Sequence, residues 1–282
     1  MARKIGVMAF ASISVILSGH LTKLQADEIC PETTMLTWHG HAAFEILSPA
    51  GIVLMIDPWL RNPVNPKASG GDPVTNVAKL DYILITHGHF DHVGDAVALA
   101  KATKARLIAN FELGTNLATL HGYPKNQMGF DSLMNIGGKI AIANDQIAVH
   151  MVPAVHSSGL ANPNGNPPIV EGGHAAGFIL HIANGPTIYH SGDTAFFSDM
   201  AVIGKQHSID VALLNVGGHF GMEPADAVKA TSALRAKLAV PHHFGTFPVL
   251  MQDPAAFTSK VKRSRELHPG ETLRFCRTHL LN

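Results

Sequence analysis

The sequence predicts an α/β layered fold with substantial sheet, and three observations carry that prediction. Short apolar runs bounded by glycine or proline, such as residues 51–60 (GIVLMIDPWL), read as buried strands. Segments with small and apolar residues at helical spacing, such as 95–103 (DAVALAKAT) and 223–234 (EPADAVKATSAL), read as amphipathic helices. The two kinds occur in mixed order along a chain that is 46% hydrophobic and only 15% charged, which favours helices layered on sheet around a sizeable core.

Taken in order, residues 1–26 stand apart. MARK is a basic start, IGVMAFASISVILSG an apolar middle and HLTKLQA a short polar stretch ending in Ala26, the order of a secretory signal peptide. The apolar run falls short of the ~20 residues of a membrane-spanning helix, and His20 stands where a lipoprotein would carry cysteine. The expectation is a leader over 1–26 and one domain over 27–282, periplasmic or secreted, with no stable membrane anchor after cleavage.

Residues 34–48 (TMLTWHGHAAFEILS) read as strand, turn and strand, and 51–60 as a further strand. The proline- and glycine-rich stretch 61–78 reads as a long loop. A strand is expected at 80–86 (LDYILIT) and a helix at 95–103, with Val93, Ala96, Val97 and Ala100 on one face. A strand (KARLIAN) and a helix (FELGTNLATLHG) follow, then strands at KIAIAN, QIAVHMVPAVH, AAGFILHIA, TIYHSGD and VALLNV. The helix EPADAVKATSAL carries Pro224 in its first turn, where proline is tolerated. A helix at 253–267 (DPAAFTSKVKRSREL), whose basic run reads as a solvated face, and the strand TLRFC close the chain.

Lys plus Arg equals Asp plus Glu at 21 each, so no global field favours nucleic acid or anionic membrane, and a small-molecule substrate is expected instead. Two cysteines, Cys30 and Cys276, are too few for a thiolate metal site. In an exported chain they are expected to pair as a disulfide.

The chemistry concentrates at 81–95 (DYILITHGHFDHVGD), where His87, His89, Asp91 and His92 fall within six positions. Chance would produce this pattern in roughly a few chains per thousand of such composition. In extended backbone, alternate side chains share a direction, so His87 and His89 can face one point. Asp91 and His92, at the turn into a helix, would face a neighbouring point, which suits two adjacent metals rather than one. His156, Asp193, His242 and His243 lie at apparent strand ends and offer further ligands.

These stretches resemble the metallo-β-lactamase superfamily, nearest the branch of metal-dependent hydrolases that holds ascorbate-phosphate lactonase-like proteins and N-acylphosphatidylethanolamine phospholipase D. The resemblance runs from residue 34 to about 250 through WHGHAAFEI, IDPW, THGHFDHVGD, PAVHSSG, HSGDT, GMEPADA and PHHFGTFP, in that order. It implies a four-layer αββα sandwich. His87, His89 and His156 would hold one metal, Asp91, His92 and His243 a second, and Asp193 would bridge both. Asp57 would orient the ligand loop, and His41 would lie near the site in a structural or supporting role. Asp91 and His41 are the candidates for a direct part in catalysis. Imidazole and carboxylate without thiolate suit two Zn2+ ions first, with Mn2+ or Fe2+ as alternatives. Such a pair shares a water, lowers its pKa to roughly 7 and presents hydroxide, which serves esters, lactones and phosphodiesters alike. The competing readings are a β-lactam hydrolase and a non-catalytic metal-binding protein. Phe90, Phe130, Phe196, Phe197, Phe220 and Phe244 lie near the motifs, and two or three of them at the mouth would favour an apolar acyl group or lactone. The loop 157–173 (SSGLANPNGNPPIVEGG) could be a lid or a passive excursion.

Overall fold

The computed structural model describes residues 30–281. The expected leader therefore lies outside the described residues. Its elements, in chain order, begin with β1 (Thr33–Trp38), β2 (Phe44–Leu47), β3 (Val53–Ile56) and β4 (Tyr82–Leu84). Then come α1 (Phe90–Val93), α2 (Ala96–Thr103), β5 (Arg106–Asn110), α3 (Phe111–Leu120), β6 (Leu133–Met134), β7 (Lys139–Ile142) and β8 (Ile147–Pro153). The chain continues with β9 (Gly159–Ala161), β10 (Ile169–Glu171), β11 (Ala176–Ile182), β12 (Thr187–His190), α4 (Met200–Gln206) and β13 (Val211–Asn215). It closes with α5 (Pro224–Leu234), β14 (Leu238–His242), α6 (Ala255–Thr258), β15 (Thr272–Cys276) and β16 (His279–Leu280).

Two sheets result. One runs β16-β15-β1-β2-β3-β4-β5-β6 and the other β14-β13-β12-β11-β8-β7. Strand periodicity explains how their apolar runs are used. Leu54, Ile56, Leu84 and Ile108 of the first sheet face a core shared with Val149, Phe178, Leu180 and Leu213 of the second. The alternate residues Met55, Ile83, Leu107 and Ala109 face outward onto Ala96, Leu99 and Ala100 of α2 and Leu113 and Leu117 of α3. A strand buried on both faces has no polar side, which is why these runs look continuous rather than alternating. On the second sheet, Ile203 of α4 and Ala227, Ala230 and Leu234 of α5 join the buried cluster. The layers are helix, sheet, sheet, helix, as the resemblance implies.

The connections determine where a site can form. Strands β3, β4 and β5 are parallel, as are β12, β13 and β14. Helical crossovers between parallel strands leave their carboxyl ends along one edge of each sheet, the position where ligand crevices open in α/β folds.

Several expectations change. The helix expected over 253–267 is a single turn, α6, and the basic stretch beyond it lies along the edge strand β14. There Ala239 N–H donates to Arg263 O at 2.9 Å and Arg265 N–H donates to Ala239 O at 2.9 Å. Covering the open edge of a sheet outweighs helix propensity here. The loop 157–173 carries the hairpin β9–β10 with antiparallel pairing. The long loop 61–78 contains two single 3-10 turns, Pro66–Gly70 and Pro73–Asn76, capped by the side chains of Asn65 and Asp72. The buried face of α2 is Ala96, Leu99 and Ala100, with Val93 and Val97 only partly covered. Cys30 and Cys276 are both disulfide-bonded. Among the described residues, no helix is long and apolar enough to cross a membrane.

Candidate metal centre

Beyond β4 the chain bends through Thr86, His87 and Gly88 to His89, whose φ of −67° and ψ of 150° lead it into α1. His87 Nε2 and His89 Nδ1 come within 2.9 Å, and His156, in the bend after β8, brings its Nε2 to 3.3 Å from the same nitrogen. These three residues offer ligand atoms within 4.8 Å of one another. One turn of α1 then presents Asp91 and His92 to His243, which follows β14, and these too form such a group together with His41. Asp193, beyond β12, groups with His87 and His92, and its Oδ2 lies 3.8 Å from His156, 3.4 Å from His92 and 3.0 Å from His243. The seven residues expected as ligands converge, and Asp193 faces both triads.

A layer of buried groups holds them. Asp57, at the end of β3 and fully buried, accepts from Thr86 N–H at 2.8 Å, from the Thr86 hydroxyl at 2.7 Å and from His92 Nδ1–H at 2.8 Å. The Thr86 oxygen in turn lies 3.0 Å from His87 Nδ1. Asp57 thereby aims one histidine of each triad, with Nε2 of each ring directed inward. His41 is fully buried and does not reach the pocket; its Nε2 meets Asp91 Oδ2 at 2.8 Å and its Nδ1 meets Thr246 Oγ1 at 2.9 Å. Burial, and then the neighbouring His243, lower the His41 pKa to about 4. It is therefore a neutral donor that positions Asp91. His242 turns away from the centre, its ring stacked on His190 at 4.8 Å and its Nε2 3.4 Å from Ser191 Oγ.

Backbone geometry contributes as well. Asp57, His41 and His243 adopt left-handed φ values of 47°, 52° and 63°. Such angles disfavour residues with a Cβ and recur where surrounding structure imposes a functional placement. Gly217 lets the chain pass beneath His243, since a Cβ there would lie 2.1 Å from the His243 carbonyl oxygen.

The donor set fits divalent metals. Burial leads in holding His87 well below its ordinary pKa, and it also lowers His89 and His156, so this triad presents neutral imidazoles. Burial also opposes charge on His92 and His243, but Asp193 and the neighbouring carboxylates outweigh it. His92 is raised well above its ordinary value and His243 to about 9. Asp91 and Asp193 are held far below the carboxylate range despite burial, His92 and His243 being the main cause. His92 Nε2, His243 Nε2 and Asp193 Oδ1 are buried without a hydrogen-bond partner. Although His243 Nε2 and Asp193 Oδ2 are 3.0 Å apart, that nitrogen makes no aligned hydrogen bond. Orphaned buried polar atoms are costly, and the two histidine nitrogens converge from different segments on the other oxygen of Asp193, as ligands of a shared centre do.

A cavity of about 590 Å3 opens beside the cluster. His89, Asp91, His156, Asp193 and His243 form its polar side, while Phe90, Phe220, Phe247, Pro248 and Val249 form an apolar wall. Of the phenylalanines noted in the sequence, Phe90 and Phe220 line this wall. Phe130 instead stacks on Phe111, Phe244 packs on Trp38, Phe197 packs on the core, and Phe196 is partly exposed outside the wall. Phe247, Thr86 and Thr246 carry functional contacts that sequence reasoning did not single out. Phe247 lies inside the HFGTFP motif, so its neighbourhood was the available signal.

A two-sheet sandwich that gathers imidazoles and carboxylates at its strand ends is a metallo-β-lactamase fold, and its relatives place the chain in the class of metal-dependent hydrolases. The chain belongs to the family described as beta-lactamase superfamily domain, whose model matches residues 53–244. It is similar to a UPF0173 metal-dependent hydrolase of Anaeromyxobacter dehalogenans, 47% identical over 246 residues, covering 86% of this chain and 87% of the relative. A UPF0173 metal-dependent hydrolase of Thermodesulfovibrio yellowstonii is 39% identical over 247 residues, covering 86% and 92%. Among solved structures, it is similar to Igni18, a metallo hydrolase from Ignicoccus hospitalis. That match has a TM-score of 0.74 and 33% identity, covering 86% of this chain and 98% of the other.

Proposed function

We propose that this metal-dependent hydrolase holds two divalent ions, Zn2+ in the first instance, and cleaves a carboxylic ester or lactone whose acyl side is apolar. His87, His89 and His156 would hold one ion, Asp91, His92 and His243 the other, and Asp193 would bridge. When bound, such ions supply a hydroxide near neutral pH and polarise the substrate oxygen. The chain's own contribution is positioning: Asp57 aims His92 and, through Thr86, His87, while His41 holds Asp91. Phe90, Phe247 and Val249 would seat the apolar group and displace water from the reacting bond.

The observation that carries the substrate class is that wall. Phe90 is 61%, Phe220 55% and Val249 49% exposed, around a pocket with no Lys or Arg in its lining. Large apolar side chains held open beside a polar centre mark a ligand surface. A phosphodiester would instead call for cationic partners. We also read residues 1–26 as an export leader and the protein as periplasmic or secreted; the disulfide-bonded state of Cys30 and Cys276 is the chemistry of an oxidising compartment.

The test is metal analysis of purified protein followed by a panel of aryl esters, lactones, phosphodiesters and β-lactams. Two ions per chain in the centre and an activity confined to esters or lactones, increasing with acyl length and abolished by chelation, are expected. One ion in the centre, or a dominant rate on phosphodiesters or β-lactams, refutes the assignment.

A further inference from the structure

Three histidines outside the centre converge in the same manner. His150 lies on β8 and His181 on β11, in register pairs His150 with Ile179 and Ala148 with His181. They are diagonal neighbours on one face of the second sheet. α4 ends over that face, and His207 follows it with φ −126° and ψ 131°. The ring centroids lie 5.1 Å apart for His150 and His181, 4.9 Å for His150 and His207 and 5.2 Å for His181 and His207.

We propose that His150, His181 and His207 form a separate cation site that takes a borderline divalent ion, Zn2+ or Cu2+, through three imidazole nitrogens with solvent completing the shell. Their ligand atoms lie within 4.8 Å of one another, as do those of His87, His89 and His156. Thr187 fixes one ring, its Oγ1 lying 3.1 Å from His181 Nδ1, so that His181 Nε2 faces His207 Nδ1 at 3.0 Å. A ring oriented from behind with its other nitrogen aimed at the gap is the arrangement of a ligating histidine. One proton sits between those two nitrogens, and a cation takes its place. Burial lowers all three pKa values, His150 to about 4 with help from His207 and His181, so at neutral pH the rings offer lone pairs rather than charges. All three rings are partly open to solvent, which gives a metal access. Asp210 adds negative potential near His181, and Lys139 opposes it near His150 and His181. Three imidazoles without a carboxylate ligand select nitrogen-preferring ions over Mg2+, Ca2+ or Mn2+. None of the three lines the active-site pocket. His150 lies on β8, and His156 of the centre follows in the bend beyond that strand.

Equilibrium dialysis of the full chain against buffered Zn2+, with metal counted by mass spectrometry, tests the site. The parent is expected to bind one equivalent more than His150→Ala, His181→Ala or His207→Ala. Whatever number the active centre holds is common to all four proteins, so the difference does not depend on the dinuclear reading. Cu2+, which nitrogen ligands hold more tightly than Zn2+, should displace the extra ion in the parent with nitrogen hyperfine structure that changes in His207→Ala, and the affinity for the extra equivalent should fall at least 10-fold in that variant. His207 lies past the end of a helix and is partly exposed, so this variant decides the matter if the strand variants misfold. Equal Zn2+ stoichiometry in parent and His207→Ala at every free concentration overturns the proposal.

Discussion

Replacing Asp57 by Asn changes one atom of the side chain and should disarm the metal centre without emptying the core. In the native chain, Oδ1 accepts from Thr86 N–H, and Oδ2 accepts from both the Thr86 hydroxyl and His92 Nδ1–H. An amide cannot satisfy this set in either orientation. With NH2 at the Oδ2 position it opposes the His92 N–H, and with NH2 at Oδ1 it opposes the Thr86 backbone N–H. The first arrangement drives the His92 proton to Nε2, the nitrogen that faces the site. It also frees the Thr86 hydroxyl to turn toward His87. Loss of such an orienting contact typically weakens metal binding about 10- to 100-fold, equivalent to about 1.4–2.8 kcal/mol. Competition with a chromophoric chelator measures this directly, and 15N chemical shifts of the metal-free chain, taken at a pH above the raised pKa of His92, report its tautomer. Asp57→Ala, which strands three buried donors, should cost in addition roughly 3 kcal/mol or more of folding stability in urea titrations. Unchanged metal affinity in Asp57→Asn, with His92 still protonated on Nδ1, would refute the reasoning.

Four further outcomes are expected. His243→Ala should lose metal whereas His242→Ala should retain it, because only His243 faces Asp193; the reverse pattern by metal analysis would overturn the assignment of the pair. Phe90→Ala or Phe247→Ala should lower kcat/KM for a long-chain ester by about 5- to 10-fold, about 1–1.4 kcal/mol for a partly buried ring, and for an acetyl ester much less. In chelated protein, His150 carries a folded pKa near 4 against an ordinary 6.5, so the unfolded chain takes up its proton first as pH falls. Its contribution is present above pH 6.5 and declines toward pH 4, and in His150→Gln the Tm should fall less across that window than in the parent. Thiol titration of denatured, unreduced protein should find no free cysteine.

The fold was legible wherever one element makes its own pattern. The runs at β3 and β4 announced buried strands, the run at β5 a strand, and Pro224 marked the start of α5. Most of the centre was legible for the same reason, since His87, His89, Asp91 and His92 arise from one strand-to-helix turn. What stayed hidden depends on long-range register. His150, His181 and His207 become neighbours only through the pairing of β8 with β11 and the place where α4 ends, and α4 is too short to announce itself. The residues after α6 have helical composition, yet the open edge of β14 recruits their backbone. His41 was placed near the site by its motif, but its attachment to Asp91 follows from the left-handed turn that carries it.

The division of the centre between the two sheets has a consequence for how the protein is matured. His87, His89, Asp91 and His92 hang from the first sheet, and His156, Asp193 and His243 from the second. Yet the sheets already share an extensive apolar core of their own. Assembly of the polypeptide therefore need not wait for a cation. Folding and metal loading are thereby separable steps, because the apolar core that joins the sheets does not include the ligand side chains.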